Sequence, residues 1–309
     1  MRRKDESRLH DIIVKTDKAY TAANLSCIEE YKARGRTTTD RLEQWKQKSL
    51  HGRHPAEIEK EHIDKKTSLL WLQKGYLFPE TEGFIMAIQD EVIRTRNYRK
   101  YILKEPEIVH DLCRMCNKQS ETIQHLVAGC EKLAPVEYKD RHDKVAKILH
   151  SVLAKQHKLA QKVSRYFEYE PDKILENDEY IIYWDRTLLT HKTVHHNRPD
   201  ITVVDKRRRE AKFIDIAVVN TSNVQKTLKD KYEKYIELKE AIRTQWNLKA
   251  IQVIPIVISA TGVVPTQTVS GIKGLIKEKH WQFHVLKEQQ KAAILSTTST
   301  IRRIMADAY

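Results

Sequence analysis

A chain of 309 residues is long enough for two or three domains and a sizeable core, and its 56 Lys and Arg against 42 Asp and Glu leave a formal charge of +14. That excess favours a polyanionic partner, nucleic acid before an anionic membrane surface. No run of about 18 apolar residues is present, so no membrane partner is expected. The N-terminus lacks the apolar core of a secretion signal, and three of the four cysteines cluster with a histidine rather than forming a disulfide framework. The expected compartment is inside the cell.

Taken in order, residues 7–34 place Leu9, Ile12, Ile13, Ala19, Ala22 and Leu25 at roughly helical spacing. Gly35 to Asp40 interrupts the pattern and offers a cap for a helix through about Leu50, followed by the basic turn His51-Gly52-Arg53-His54-Pro55. A long helix is expected from about Ile58 to Lys74, ended by Gly75, and another over roughly 80–103. Arg94, Arg96, Arg99 and Lys100 crowd the C-terminal part of the second, where cations suit the helix dipole and could contact phosphates. A solvated basic face accounts for them equally well.

Cys113-x₂-Cys116-x₈-His125-x₄-Cys130 comes next. Two thiolates on a tight turn, followed by a His and a Cys on and after a helix over 121–128, can close a tetrahedral Zn²⁺ site. Four protein ligands leave no open position, so such a site is structural; the alternative is an unliganded cluster of buried cysteines. A basic helix is expected over 136–165, then a boundary near Tyr166–Pro171, a strand at Tyr180–Trp184 and a connection to Asn197.

Arg198-Pro199-Asp200 opens a pair of β-rich runs, residues 201–204 and 213–219, flanking a Lys/Arg-loaded tip that includes Arg207 and Arg208. Folded about the tip, this hairpin sets Asp200 opposite Asp215 and Ile216. Paired acids on adjacent strands suit Mg²⁺, which takes hard oxygen ligands and keeps several waters. A literal search for PD…ExK selects Glu210 and Lys212 instead, but Glu210 lies at the tip, several residues up the ladder from Asp200. Asp215 is the better partner, because an acid inside Phe-Ile-Asp-Ile-Ala-Val-Val is costly unless paired or metal-bound.

The lysine usual two residues after the second acid in restriction-type nucleases is replaced by Ala217. A helix from the Asn220–Asn223 caps to about Trp246 carries Lys231 and Lys234 three apart, where either could reach back to the acids. The apolar run 250–258 reads as a strand covered on both faces, and helices near 266–280 and 288–307 follow. The expected class is α/β, with a mixed sheet flanked by helices.

These features together resemble the C-terminal part of non-long-terminal-repeat retrotransposon polyproteins, the class with a restriction-like endonuclease. The residues that carry the resemblance are Cys113/Cys116/His125/Cys130, Arg198-Pro199-Asp200, Asp215 and Lys231-Tyr232-Glu233-Lys234-Tyr235. Trp45…Leu50-His51-Gly52-Arg53 and Trp71-Leu72-x₂-Gly75…Glu80-Thr81-Glu82 are similar to the segment after the polymerase in such elements.

The resemblance implies a helical region over 1–105, a zinc knuckle with its basic linker over 106–165, and a restriction-endonuclease-like domain over 166–309. It implies a nuclear, Mg²⁺-dependent enzyme that nicks double-stranded target DNA to prime reverse transcription, with element RNA as a further partner. Asp200 and Asp215 would hold Mg²⁺, with Lys231 or Lys234 beside them. Arg94, Arg96, Arg99, Lys100, Arg198, Arg207 and Arg208 are the candidate nucleic-acid contacts. No Tyr/Phe-x-Asp-Asp polymerase site is present, so a fragment or co-opted remnant is expected, and a catalytically inactive nucleic-acid-binding protein is the alternative.

Overall fold

The computed structural model of the chain describes residues 38–306, which fall into two compact units. In the first, Met1–Lys48, the described part is helix α1 (Thr38–Lys46), with Lys46 paired to Glu43 at 2.9 Å. The helix expected over 7–34 lies outside the described residues. The second unit, Ser49–Tyr309, begins with α2 (Arg53–Ile58), α3 (Lys65–Ser68), α4 (Leu70–Lys74), α5 (Pro79–Gln89), α6 (Arg96–Tyr101), α7 (Ile123–Ala128) and α8 (Lys139–Gln156). Strands β1 (Ile174–Glu176), β2 (Tyr180–Trp184), β3 (Ile201–Asp205) and β4 (Glu210–Val219) follow. Helices α9 (Val224–Lys234) and α10 (Ile236–Gln245), strand β5 (Ala250–Ser259), and helices α11 (Thr266–Leu275) and α12 (Lys279–Ala306) complete it. No described helix is long and apolar enough to cross a membrane.

The five strands form one mixed sheet in the order β1-β2-β3-β4-β5, antiparallel except for the parallel β4–β5 pair. Helices cover both faces, so β4 is apolar on both sides. Ile214 and Ile216 cluster with Val145, Leu149, Ile272 and Ala292 from α8, α11 and α12. Phe213 clusters with Tyr235, Leu238 and Ile242 on the opposite face. Each such burial contributes about 1.5–3 kcal/mol. At the β5 edge, Thr268 Oγ1 takes the N–H of Val257 at 3.0 Å and donates to its carbonyl at 2.7 Å. Pro255, two residues earlier, shares that outward parity, so its missing N–H removes no ladder bond.

Several expected helices are broken in the structure. The stretch 58–74 is divided among short segments, with Asp64 capping α3 through Thr67 N–H at 2.7 Å. The expected 80–103 helix stops at Gln89, because Glu91 turns left-handed (φ 60°), and restarts behind the Thr95 cap. The basic helix occupies Lys139–Gln156 after a π-helical turn, and the last helix starts earlier than expected, at Lys279.

Within the core, His150 of α8 is fully buried, shares a 2.7 Å hydrogen bond with the Tyr169 hydroxyl and meets the Trp184 ring edge-on. Burial pushes its pKa down to about 4. The unfolded chain takes up that proton near pH 6.5, so stability should fall as pH drops from about 6.5 to 4. His150→Gln keeps an acceptor for Tyr169 without titrating. Its melting temperature should drop less than the parent's between pH ~7 and ~4.5; an equal drop would remove His150 as a cause.

Candidate functional site

Two constellations stand out in the second unit. In the first, the ligand atoms of Cys113, Cys116, His125 and Cys130 lie within 4.8 Å of one another, all four residues buried. Cys113 Sγ and Cys130 Sγ are 4.0 Å apart, against about 3.8 Å for two sulfurs on a tetrahedral Zn²⁺ with 2.3 Å bonds. His125 Nε2 faces Cys116 Sγ at 3.3 Å, while Nδ1 meets Gln119 Oε1, an acceptor, at 3.1 Å. That pairing places the ring proton on Nδ1 and leaves the Nε2 lone pair for a metal.

Local chemistry builds this cluster. A Leu112–Ser120 bridge, the Cys113 N–H on Gln119 O (2.7 Å) and left-handed Asn117 (φ 54°) close the turn that holds the first two cysteines. Thr122 caps α7 by accepting from His125 N–H at 3.1 Å. Glu121, fully buried, is gripped by Arg114 through Nη2 (2.7 Å) and Nε (2.9 Å) and by the Arg96 N–H (2.9 Å). Burial pushes the Cys113 thiol up to about 12, so a thiolate there calls for a cation. Burial also lowers the pKa of His125, keeping it neutral and able to ligate. The cluster could bind a metal such as zinc.

The second constellation is acidic. The β3–β4 register pairs Ile201 with Ile214 and carries on to set Asp200 beside Asp215. The Ile216 N–H donates to Asp200 Oδ2 at 2.6 Å. His142, from the first turn of α8, meets the same oxygen through Nε2 at 3.1 Å, with its Nδ1 on Asp143 Oδ1 at 3.0 Å. Burial opposes charge on His142, but the two carboxylates outweigh it and hold the imidazole up to about 9. Burial would raise the Asp200 pKa, yet His142, the Ile216 N–H and Lys231 bring it below the usual range.

Asp215 is only 1% exposed. Tyr235 donates to its Oδ1 at 2.5 Å, Lys231 forms an ion pair with Oδ2, and Lys234 lies 3.6 Å from Oδ1. Both lysines reach back from α9 to Asp215, where the sequence offered either one. Asp200 and Asp215 together push the Tyr235 hydroxyl pKa up further than burial alone does. The helix expected from 220 to 246 breaks at Tyr235, whose ring turns inward; its single O–H goes to Asp215, and the same oxygen lies 3.0 Å from Arg198 O.

Glu210 pairs with Asp205 at the exposed hairpin tip, five positions from Asp215, a separation of about 16 Å along the strand. Lys212 is spent on Gly274 O at 3.0 Å, away from both acids. The sequence reading gave no role to His142, which falls on the basic helix expected over 136–165, or to Tyr235, which it quoted within Lys231-Tyr232-Glu233-Lys234-Tyr235.

The candidate nucleic-acid contacts are tied down within the chain. Arg94 and Arg99 pair with Glu105 at 2.5 Å each, Arg96 donates to Leu112 O at 3.0 Å, and Lys100 donates to Val109 O at 3.0 Å. Arg198 pairs with Asp185 at 2.5 Å and Arg207 with Glu179 at 2.9 Å, while Arg208 lies 3.9 Å from Asp205. Arg94, Arg198, Arg207 and Arg208 remain more than half exposed. No protein-family model and no curated protein matches the chain.

Proposed function

We propose that the acidic constellation is the site of a metal-dependent DNA endonuclease of the restriction-like kind found in non-long-terminal-repeat retrotransposons. The observation that carries this reading is the pairing of Asp200 with Asp215 across β3 and β4, with Lys231 on the Asp215 carboxylate and close enough to lower the Asp200 pKa. A phosphodiester needs charge neutralised as its bond to the leaving oxygen breaks.

The donor set fits Mg²⁺. Asp200 Oδ2 is occupied by the Ile216 N–H and His142, whereas no described residue hydrogen-bonds its Oδ1. Asp215 Oδ2 already holds a cation in the form of Lys231. Asp200 and Asp215 would hold the metal, which would supply Lewis acidity toward a phosphoryl oxygen. Lys231, released from Asp215 Oδ2, would steady charge developing on the phosphate, with Lys234 at the opposite oxygen. His142 and Tyr235 fix the two carboxylates.

The cysteine cluster is read as a structural Zn²⁺ knuckle, double-stranded DNA as the substrate, element RNA as a further ligand and the nucleus as the place of action. A second reading, an inactive nucleic-acid-binding remnant, is favoured by buried Ala217 at the position usual for a catalytic lysine. A supercoiled-plasmid assay separates the two. The parent protein should relax plasmid with Mg²⁺ and not with EDTA, and Asp200→Ala should lose that activity while keeping DNA affinity. Salt-steep binding without relaxation in any lane would leave the remnant standing.

A further inference from the structure

Helix α12 runs 28 residues, and its middle carries five consecutive hydroxyl side chains, Ser296 to Thr300. Serine and threonine are poor helix-interior residues, and four of these five are buried. Three have evident partners: Thr297 accepts from Arg141 Nη1 (3.0 Å), Thr298 donates to Leu295 O (3.0 Å) and Thr300 donates to Glu137 (2.9 Å). Ser296 and Ser299 have no hydrogen-bond partner among the described residues. Both line a cavity of about 420 Å³ between α5, α8 and α12.

The other walls of that cavity carry matching chemistry. Thr81 and the Tyr166 ring bring two more hydroxyls, and Lys144 and Arg302 bring two cations. Arg302 is held in place, donating to Glu80 O at 2.8 Å and Thr81 Oγ1 at 3.3 Å and stacking 4.9 Å from the Phe84 ring. Lys144 is steadied by Asp140 at 2.6 Å. Thr81 belongs to the first turn of α5. Fully buried Arg141 bonds Thr297, the chain neighbour of the lining residues Ser296 and Thr298, and leaves Nε and Nη2 without hydrogen-bond partners.

We propose that this cavity is a phosphate subsite that takes one phosphodiester group of a nucleic-acid strand. Hydroxyl donors around two fixed cations suit a tetrahedral oxyanion better than a planar carboxylate, and the volume leaves room for the adjoining sugar. Lys144 stands two residues from His142, so the helix that holds Asp200 also presents this subsite. The choice of a nucleic-acid strand rests on the reading above; the preference for phosphate does not.

The test uses the full chain without added Mg²⁺, so it does not depend on nicking. A labelled single-stranded oligonucleotide is titrated by anisotropy over a salt series, with inorganic phosphate as competitor. The variants are Arg302→Gln and the pair Ser296→Ala with Ser299→Ala. Alanine raises helix propensity, so the serine pair should melt no lower than the parent. Each variant should weaken binding about tenfold, and Arg302→Gln should lower the salt slope by about one. Unchanged affinity and slope in both variants would overturn the subsite, whatever the nicking assay shows. Phosphate-dependent thermal stabilisation lost in the variants, with oligonucleotide affinity intact, would overturn the strand and leave a small phosphorylated ligand in its place.

Discussion

Asp215→Asn should slow Mg²⁺-dependent nicking by about a thousandfold, because it removes one of two hard anionic ligands and the counter-charge for two lysines. The substitution keeps the shape of the side chain and an acceptor for Tyr235. Lys231 and Lys234, about a quarter exposed, would regain water, so the stability cost should be at most about 3 kcal/mol, below that of breaking a fully buried pair. Tyr235→Phe is the contrast. It deletes one charge-assisted hydrogen bond, costs about 1.5–3 kcal/mol, and leaves both carboxylates able to hold a metal. Single-turnover nicking and melting measured on the two proteins would separate ligation from orientation. Equal rates for Asp215→Asn and the parent would end the assignment of this acid.

The other large effect is expected at the cysteine cluster. Cys113, Cys116 and Cys130 share a core with Trp71, Ile85 and Leu126, and with Ile294, Ile301 and Ile304 of α12. Disturbing these buried cysteines therefore reaches further than a surface finger would. Cys130→Ser, or prolonged chelation of the parent, should lower the melting temperature by about 10 °C, at roughly 2–4 °C per kcal/mol for a unit of this size. Metal content by atomic absorption should fall from one zinc per chain to none. A parent protein purified free of metal, melting as high as one reconstituted with zinc, would refute the structural role.

The acidic pair was legible in the sequence for a geometric reason. Folding the two β-rich runs about the middle of the tip, near Arg208, already brings the two acids together. Lys231 and Lys234 were legible because three-residue spacing puts both on one side of a helix that immediately follows β4. The cysteine–histidine cluster was legible through the spacing of its residues, which a tight turn and a short helix preserve.

His142 was not legible. Fifty-eight residues separate it from Asp200, and only the crossing of α8 over the end of the sheet brings them together. Glu121 was hidden likewise, since nothing in sequence marks one acid as the partner of the Arg114 fork. The helix break at Tyr235 follows from a tertiary demand, the tyrosine hydroxyl reaching Asp215, which local propensity does not encode.

Helix α12 has a consequence for the order of folding. It packs on α3 to α5, on α7 beside the cysteine–histidine cluster, on α8, on α11 and on β5. Its Gln290 side chain alone ties to Thr67 O, Ser68 O and Gly262 O, at 2.9, 2.9 and 2.6 Å. Contacts spanning more than 200 residues cannot form on a nascent chain until α12 has left the ribosome. The segment around Cys113 to Cys130 can fold locally early, but its apolar underside waits for Ile294 and Ile301. Such a topology predicts a slow final consolidation, with the segment before α8 exposed to chaperones in the interval.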